Sequence, residues 1–406
     1  LEAYRQTHRL LYRRVTERTI GYVLRELTDK DGGFYCGQDA DSDGVEGKYY
    51  VFSPEEIRSV LGPKDGDAFC GWFGITAAGN FNGKSIPNLI ENPRYEEASP
   101  LMEELCEKLY AYRLGRTRLH KDDKVLTAWN ALMIAALADA WRLLKVPVYL
   151  NAAESAWGFV AEHLTDRNRR LLHRWRDGET ALTGQLDDYA FAALALLKLY
   201  SATFNADYLA QAAEISDQMI AHFFDEENGG FFLYADDSEQ LISRPKEVYD
   251  GAMPSGNSIA ALVLVWLFQL TGEKKWNEYG EKQLACLGGY VRQFPAGCSA
   301  ALLAFIRKLY PSRELVCVTA DDHCVSELRD FLRETDPPLL SVLVITRANR
   351  FTLAKAATFA KDYPFPESGA AYYLCTGGAC AAPVYHLQEL KPLLSKAESE
   401  NVGGFA

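Results

Sequence analysis

Two kinds of hydrophobic pattern alternate along the chain. Leu126 to Leu144, Leu186 to Thr203 and Ser255 to Leu270 are dense in Ala, Leu and Val around most of a helical circumference, which predicts helices buried on nearly every side. Between and after them, Tyr149 to Leu164, Tyr208 to Phe224 and Lys275 to Phe294 place Glu, Gln and Lys between apolar positions of helical spacing, as a helix with one wet face does. Each pair is joined by a short turn and closed by a loop rich in Gly, Asp and aromatics. This is an internal repeat. Tyr149 and Tyr208 take matching places about 59 residues apart, and Asp29-Lys30-Asp31-Gly32-Gly33-Phe34-Tyr35 rhymes with Asp225-Glu226-Glu227-Asn228-Gly229-Gly230-Phe231-Phe232. The paired glycines end a helix and permit positive φ. A hairpin of this kind leaves an apolar face that only the next hairpin covers, so the pattern predicts an all-α toroid with an inner and an outer ring of helices. A tetratricopeptide-like open solenoid is the rival, but its repeats are much shorter than these.

Two stretches break the array. Residues 44–97 are rich in Gly and Asn, with Ser53-Pro54-Glu55-Glu56 marking a helix start by its cap and first-position proline; they predict an elaborated loop. Residues 313–383 carry short β-rich runs at Leu315 to Thr319, Leu340 to Thr346 and Ala371 to Cys375, with a helical pattern from Val325 to Arg333 between the first two. They predict a small α/β insertion near the C-terminus. The expected organisation is a helical array over 1–312, the insertion over 313–383, and a returning helix and tail over 384–406.

The 406 residues carry a formal charge of −12 and 48% apolar residues. That composition predicts a globular fold and argues against nucleic acid or an anionic membrane as partner. No apolar run reaches the length of a membrane span. The chain opens on Leu1-Glu2-Ala3-Tyr4, which reads as part of a helix and predicts an N-terminally truncated piece of a longer protein. Nine scattered cysteines do not resemble a disulfide framework and suit a reducing compartment, so the expected location is cytoplasmic, unless truncation has removed an organelle address.

Polar clusters fall where outer helices hand over to inner ones: Asp39, Asp41 and Glu46; Asp122 and Asp123 ahead of Trp129 and Asn130; Asp187, Asp188 and Tyr189; Asp250, Ser255 and Asn257. In a toroid these connections share one face, so Asp39 or Asp41, Asp123, Asp188 and Asp250 are the candidate catalytic acids. Asp, Ser and Asn at helix starts are also what N-caps require, and a helix N-terminus favours the ionised carboxylate, suiting Asp188 to a base or positioning role and leaving the acid to Asp39 or Asp41. Carboxylates, amides and ring faces together suit a sugar, and Trp129, Asn130, Trp175, Tyr189, Tyr249 and Asn257 are the candidate substrate contacts. His173, in Leu171-Leu172-His173-Arg174-Trp175, is the histidine placed best for proton transfer. Cys375 and Cys380, followed by His386, fall short of a four-ligand zinc set, and Thr376-Gly377-Gly378 lacks the ending of a phosphate loop; no metal and no cofactor are expected.

Asp39-Ala40-Asp41-Ser42, Asp122-Asp123-Lys124-Val125-Leu126-Thr127-Ala128-Trp129-Asn130, Leu186-Asp187-Asp188-Tyr189-Ala190-Phe191, Arg244-Pro245-Lys246-Glu247-Val248-Tyr249-Asp250-Gly251 and Pro254-Ser255-Gly256-Asn257-Ser258 resemble the signature stretches of the YyaL-type, spermatogenesis-associated thioredoxin-domain-containing family. Cys375 to Pro383 is similar to that family's C-terminal cysteine segment. The resemblance implies a six-hairpin glycosidase-like (α/α)6 toroid, similar to N-acylglucosamine 2-epimerases and several glycoside hydrolases, and a thioredoxin-like domain upstream as partner. Two functions follow as expectations. One is a carbohydrate-active or carbohydrate-binding toroid of glycosidase-like or sugar epimerase-like chemistry; the other is a non-enzymatic interaction scaffold that works with the upstream domain.

Overall fold

The computed structural model describes residues 1–239, 242–310, 313–335, 337, 339–377 and 379–401, with side chains through 394. Gly378 and the predicted tail after residue 401 lie outside the described residues. The chain folds as two compact units, Leu1–Thr28 with Tyr35–Lys124, and Asp29–Phe34 with Val125–Ala406.

The first unit holds helices α1 (Glu2–Thr7) and α2 (Leu10–Glu26), strands β1 (Tyr35–Gln38), β2 (Asp41–Ser42) and β3 (Val45–Glu46), helices α3 (Pro54–Leu61), α4 (Pro63–Trp72) and α5 (Pro100–Arg116), and most of β4 (Lys121–Leu126). Where the pattern predicts a loop over 44–97, two short helices form. Ser53 caps α3 by accepting from the Glu56 N–H at 3.2 Å, with Pro54 in the first turn. Phe52, Ile57, Phe69, Met102, Leu105 and Leu109 then bury against one another, each such side chain contributing about 1.5–3 kcal/mol. The Arg116 guanidinium fastens the preceding loop by donating to the carbonyls of Lys48, Tyr49 and Val51 and to Glu56.

The second unit carries the repeat. Inner helices α6 (Thr127–Leu144), α8 (Leu186–Thr203) and α10 (Gly256–Thr271) alternate with outer helices α7 (Pro147–His163), α9 (Ala206–Phe223) and α11 (Lys274–Gln293), and α12 (Ser299–Leu309) follows. Between α7 and α8 lies the hairpin of β5 (Leu172–Arg176) and β6 (Glu179–Thr183), on which Val125 and Leu126 of β4 pair with Trp175 and Arg174. Every inner helix ends on a left-handed residue, Lys145, Phe204 or Gly272. The outer helix starts two positions later each time, so the three hairpins share one turn geometry. Burial follows the predicted pattern: α8 and α10 are buried around nearly their whole circumference, whereas α9 and α11 bury a single face.

Beyond α12, β7 (Arg313–Thr319), α13 (Asp322–Thr335) and β8 (Leu340–Thr346) form a parallel crossover. After α14 (Arg350–Ala356), β9 (Ala370–Thr376) pairs antiparallel with the other side of β7 and turns into β10 (Ala379–Cys380), giving the order β10-β9-β7-β8. This sheet packs on the helices: the Tyr200 hydroxyl accepts from the Val344 N–H at 3.2 Å, and Arg307, almost fully buried, donates to Ser341 at 2.7 Å. The final helix is α15 (Leu387–Asn401). The chain is therefore mainly helical but not all-α, because small sheets accompany the hairpins in both units. A second correction concerns the cysteines. Cys375 and Cys380 face each other across the β9–β10 pair and are joined in a disulfide, while seven others are free thiols. The spacing that reads, with His386, as part of an incomplete zinc set is instead that of a two-strand hairpin, which brings the two sulfurs together.

Candidate functional site

The first turns of the inner helices are tied by carboxylates. In α8, Gln185 and Asp188 form a reciprocal capping box, with the Gln185 N–H donating to Asp188 Oδ2 at 2.8 Å. Asp188 has no exposed surface, and its Oδ1 accepts from the Ala128 N–H in the first turn of α6 at 2.9 Å. His173 Nδ1, on β5, meets Asp188 Oδ2 at 2.9 Å. One carboxylate thus caps two helices and orients one imidazole. The bond to Asp188 raises the His173 pKa against the opposing effect of burial.

Asp187 faces the other neighbour. The Gly256 N–H, opening α10, hydrogen-bonds to its carboxylate. A Cβ at position 256 would lie 2.3 Å from Asp187 Oδ1 and 2.8 Å from Leu186 Cγ, so glycine is required for the carboxylate to reach that helix end. Burial, followed by the charges of Asp188 and Glu247, pushes the Asp187 carboxyl up to about 6. Two adjacent aspartates therefore sit in different environments: Asp188 is surrounded by hydrogen-bond donors, whereas the desolvated Asp187 keeps its proton to higher pH than a free carboxyl does. A carboxyl held up toward neutral pH is what general acid–base chemistry uses.

Several sequence candidates have other work. Asn130 is fully buried; it accepts from the Phe34 N–H at 2.7 Å and donates to the carbonyls of Phe34 and Leu126 at 3.0 and 2.9 Å. Asn257, also fully buried, repeats this two hairpin pairs later, accepting from the Phe231 N–H at 2.8 Å and donating to the carbonyls of Phe231 and Glu247 at 2.9 and 2.8 Å. At the intervening repeat the buried Tyr189 hydroxyl takes the Leu171 N–H at 3.1 Å and Arg170 Nε at 2.9 Å. These three side chains staple the loops after the outer helices to the inner helices. Their polar atoms are consumed there, which corrects their reading as substrate contacts. Asp250 likewise accepts from the N–H groups of Ser255 at 2.8 Å and of Ala300, in the first turn of α12, at 2.7 Å. It is held as a helix cap.

Trp129, next to the capped Ala128, leaves 44% of its surface exposed and remains available to a ligand. Trp175 packs edge-on against Phe159 at 5.1 Å. Tyr249 is exposed and lies parallel to Phe294 with 6.2 Å between ring centroids. Asp39, Asp41 and Asp123 belong to the first unit. There Asp39 and Asp41 are exposed, the Asp41 N–H donating to Asp39 at 3.1 Å, and Asp123 is half-buried on β4. Sequence reasoning passed over Asp187 as a cap and did not select Glu247 or Gly256. The Asp187-Asp188 doublet and the Gly256-Asn257 pair were the visible signals.

Among the described residues, His222, Asp236 and Asp237 alone lie close enough to share a cation. Arg170 already fills that place, meeting His222 Nε2 at 3.1 Å and Asp237 at 2.8 Å. The described helices include none long and apolar enough to cross a membrane.

No protein-family model matches the chain. Among solved structures, a cellobiose 2-epimerase from Spirochaeta thermophila DSM 6192 is similar at 21% identity and a TM-score of 0.35, covering 40% of this chain and 43% of the other. An α-1,6-mannanase of Salegentibacter sp. HEL1_6 is similar at 17% identity and a TM-score of 0.34, covering 68% and 69%. Spermatogenesis-associated protein 20 of Homo sapiens is 28% identical over 97% of this chain and 56% of its own length. The chain spans about half the length of the curated relatives it matches. The resemblance carried by the sequence motifs thus extends across almost the whole chain as similarity to the proteins named spermatogenesis-associated protein 20.

Proposed function

We propose that the hairpins form part of a six-hairpin, glycosidase-like toroid, and that the amino ends of its inner helices hold a site for proton-transfer chemistry on a carbohydrate. The observation that carries this reading is the pair at the start of α8: Asp187, with its carboxyl pushed up to about 6, beside Asp188, whose oxygens are taken by the Ala128 and Gln185 N–H groups. Asp187 acts as the proton donor, because its carboxyl retains the proton nearest to neutral pH. His173 acts as a second proton carrier whose orientation and charge Asp188 fixes. Asp188 touches no substrate and works as a positioning residue. The exposed Trp129 ring offers a face to the apolar side of a sugar.

The test is a panel of α- and β-linked disaccharides and free hexoses, incubated with the chain in deuterated water and followed by NMR. Deuterium entering beside the carbonyl carbon marks epimerisation, and a new reducing end marks hydrolysis. Asp187→Asn is expected to lower either rate at least tenfold at unchanged helical circular dichroism. A wild-type chain that neither binds nor converts any member of the panel, or an Asp187→Asn protein of full activity, removes the reading.

A further inference from the structure

The crossover β7–α13–β8 leaves a crevice at the carboxyl end of β7, because β8 continues the sheet on one side and β9 returns antiparallel on the other. Openings of this kind in α/β sheets are where ligands lodge. Thr319, ending β7, pairs with Ala370 and donates to the Gly369 carbonyl at 2.8 Å, so the start of β9 forms one wall. The cavity there measures about 800 Å³, within the range of small-molecule sites.

Tyr372 lines it. The residue is only 3% exposed, yet its hydroxyl hydrogen-bonds with no described residue, its backbone alone being paired with Val384. Buried tyrosine hydroxyls ordinarily have a partner, and an unpartnered one in a cavity wall is prepared for a ligand atom. Burial, followed by the neighbouring thiols of Cys317 and Cys324 and then the Glu327 charge, raises its pKa and keeps it protonated.

The remaining lining gives the ligand's chemistry. Glu327 and Glu367 supply carboxylates, no Lys or Arg side chain lines the space, and Glu327 has only a 3.4 Å contact with exposed His323. The Tyr385 ring is 56% exposed. Phe365 already carries the guanidinium groups of Arg347 and Arg350 over its ring, at 4.9 and 5.3 Å. An anion would meet two carboxylates beside the His386 imidazole and the amino end of α15, where the Tyr385 and His386 N–H groups already donate to the Glu389 carboxylate at 3.2 Å. A bare metal ion is not matched, because these carboxylate and imidazole groups do not converge within ligand distance of one another. A flat or alkyl cation satisfies all three features: charge against Glu327 and Glu367, a donor toward the Tyr372 oxygen, and a ring face from Tyr385.

We propose that this cavity binds an organic cation, an alkylguanidinium or alkylammonium group. The site shares no residue with the Asp187–Asp188 cluster, so it stands or falls separately from the carbohydrate reading.

The test is calorimetric titration of the whole chain with n-butylguanidinium, n-butylammonium and butyrate at low salt. Either cation is expected to bind saturably with a millimolar Kd while butyrate does not. Tyr372→Phe, which removes a single oxygen, and Glu327→Gln, at an exposed position, should each weaken the cation about fivefold or more, the direction expected for losing a charged or hydroxyl partner. Unfolding temperature verifies that both variants fold. Failure of both cations to saturate at about 50 mM, far above millimolar affinity, or unchanged binding in both variants, overturns the proposal, as does tighter binding of butyrate than of the cations.

Discussion

Asp188 and Ala128, sixty positions apart in the chain, meet at 2.9 Å between the carboxylate Oδ1 and the backbone N–H. That bond joins the amino ends of two successive inner helices and removes water from both. The same carboxylate also accepts from Gln185 and holds His173, so its three bonds act together on helix ends and imidazole.

Replacing Asp188 by Asn keeps the shape but turns one oxygen into an NH₂ that faces donors. Two or more hydrogen bonds to a buried group are lost or opposed, at about 1–3 kcal/mol each. Urea unfolding of Asp188→Asn is expected to show a loss of about 2–4 kcal/mol. The His173 imidazole, followed by NMR, should titrate at lower pH than in the wild type, because its raised pKa comes first from Asp188. A variant of unchanged stability and unchanged imidazole titration would remove Asp188 from its bridging role.

Asp187 makes the opposite prediction. Its folded-state carboxyl, at about 6, lies above the unfolded value near 3.9. The native state therefore binds the proton more tightly, and this group favours folding below pH 4 relative to higher pH. That contribution fades as pH rises through 6. Asp187→Asn removes the desolvated charge, so it should be nearly neutral at pH 4 and stabilise the chain by about 1–2 kcal/mol at pH 8. Unfolding curves at the two pH values read the difference, and a variant destabilised most at pH 8 contradicts the assignment.

Asn130 and Asn257 make the same staple in the first and third hairpin pairs of the second unit. Asn130→Ala and Asn257→Ala should each lower stability by about 3 kcal/mol, since each strands a buried N–H and two carbonyls. Asn→Asp at either position should be at least as harmful, because a carboxylate cannot donate to those carbonyls. Thermal unfolding of the four proteins tests both the magnitude and the equivalence of the two sites.

Cys375–Cys380 is one disulfide beside seven free cysteines. Under denaturing conditions without reductant, a thiol reagent should count seven groups, rising to nine after reduction. Nine before reduction would place the pair in the dithiol state.

The helical hairpins were legible in the sequence because burial on a helix is written in local periodicity. The predicted inner span Leu186 to Thr203 coincides with α8, and Leu126 to Leu144 and Ser255 to Leu270 differ from α6 and α10 by no more than one residue at either end. The strands of the α/β segment were legible for the same reason: β7, β8 and β9 are short β-branched or aromatic runs. Position within the site was not local. Asn130, Tyr189 and Asn257 carry side chains that suit a ligand equally well, and only the return of the Phe34, Leu171 and Phe231 backbones against them shows their donors and acceptors spent. Sequence alone identified Asp187 and Asp188 as a doublet at a helix start, which fixes a similar dipole for both. That Asp187 keeps its proton to higher pH while Asp188 is bound by backbone donors was decided by the tertiary structure, because desolvation and the direction of each hydrogen bond depend on which neighbouring helix each side chain reaches.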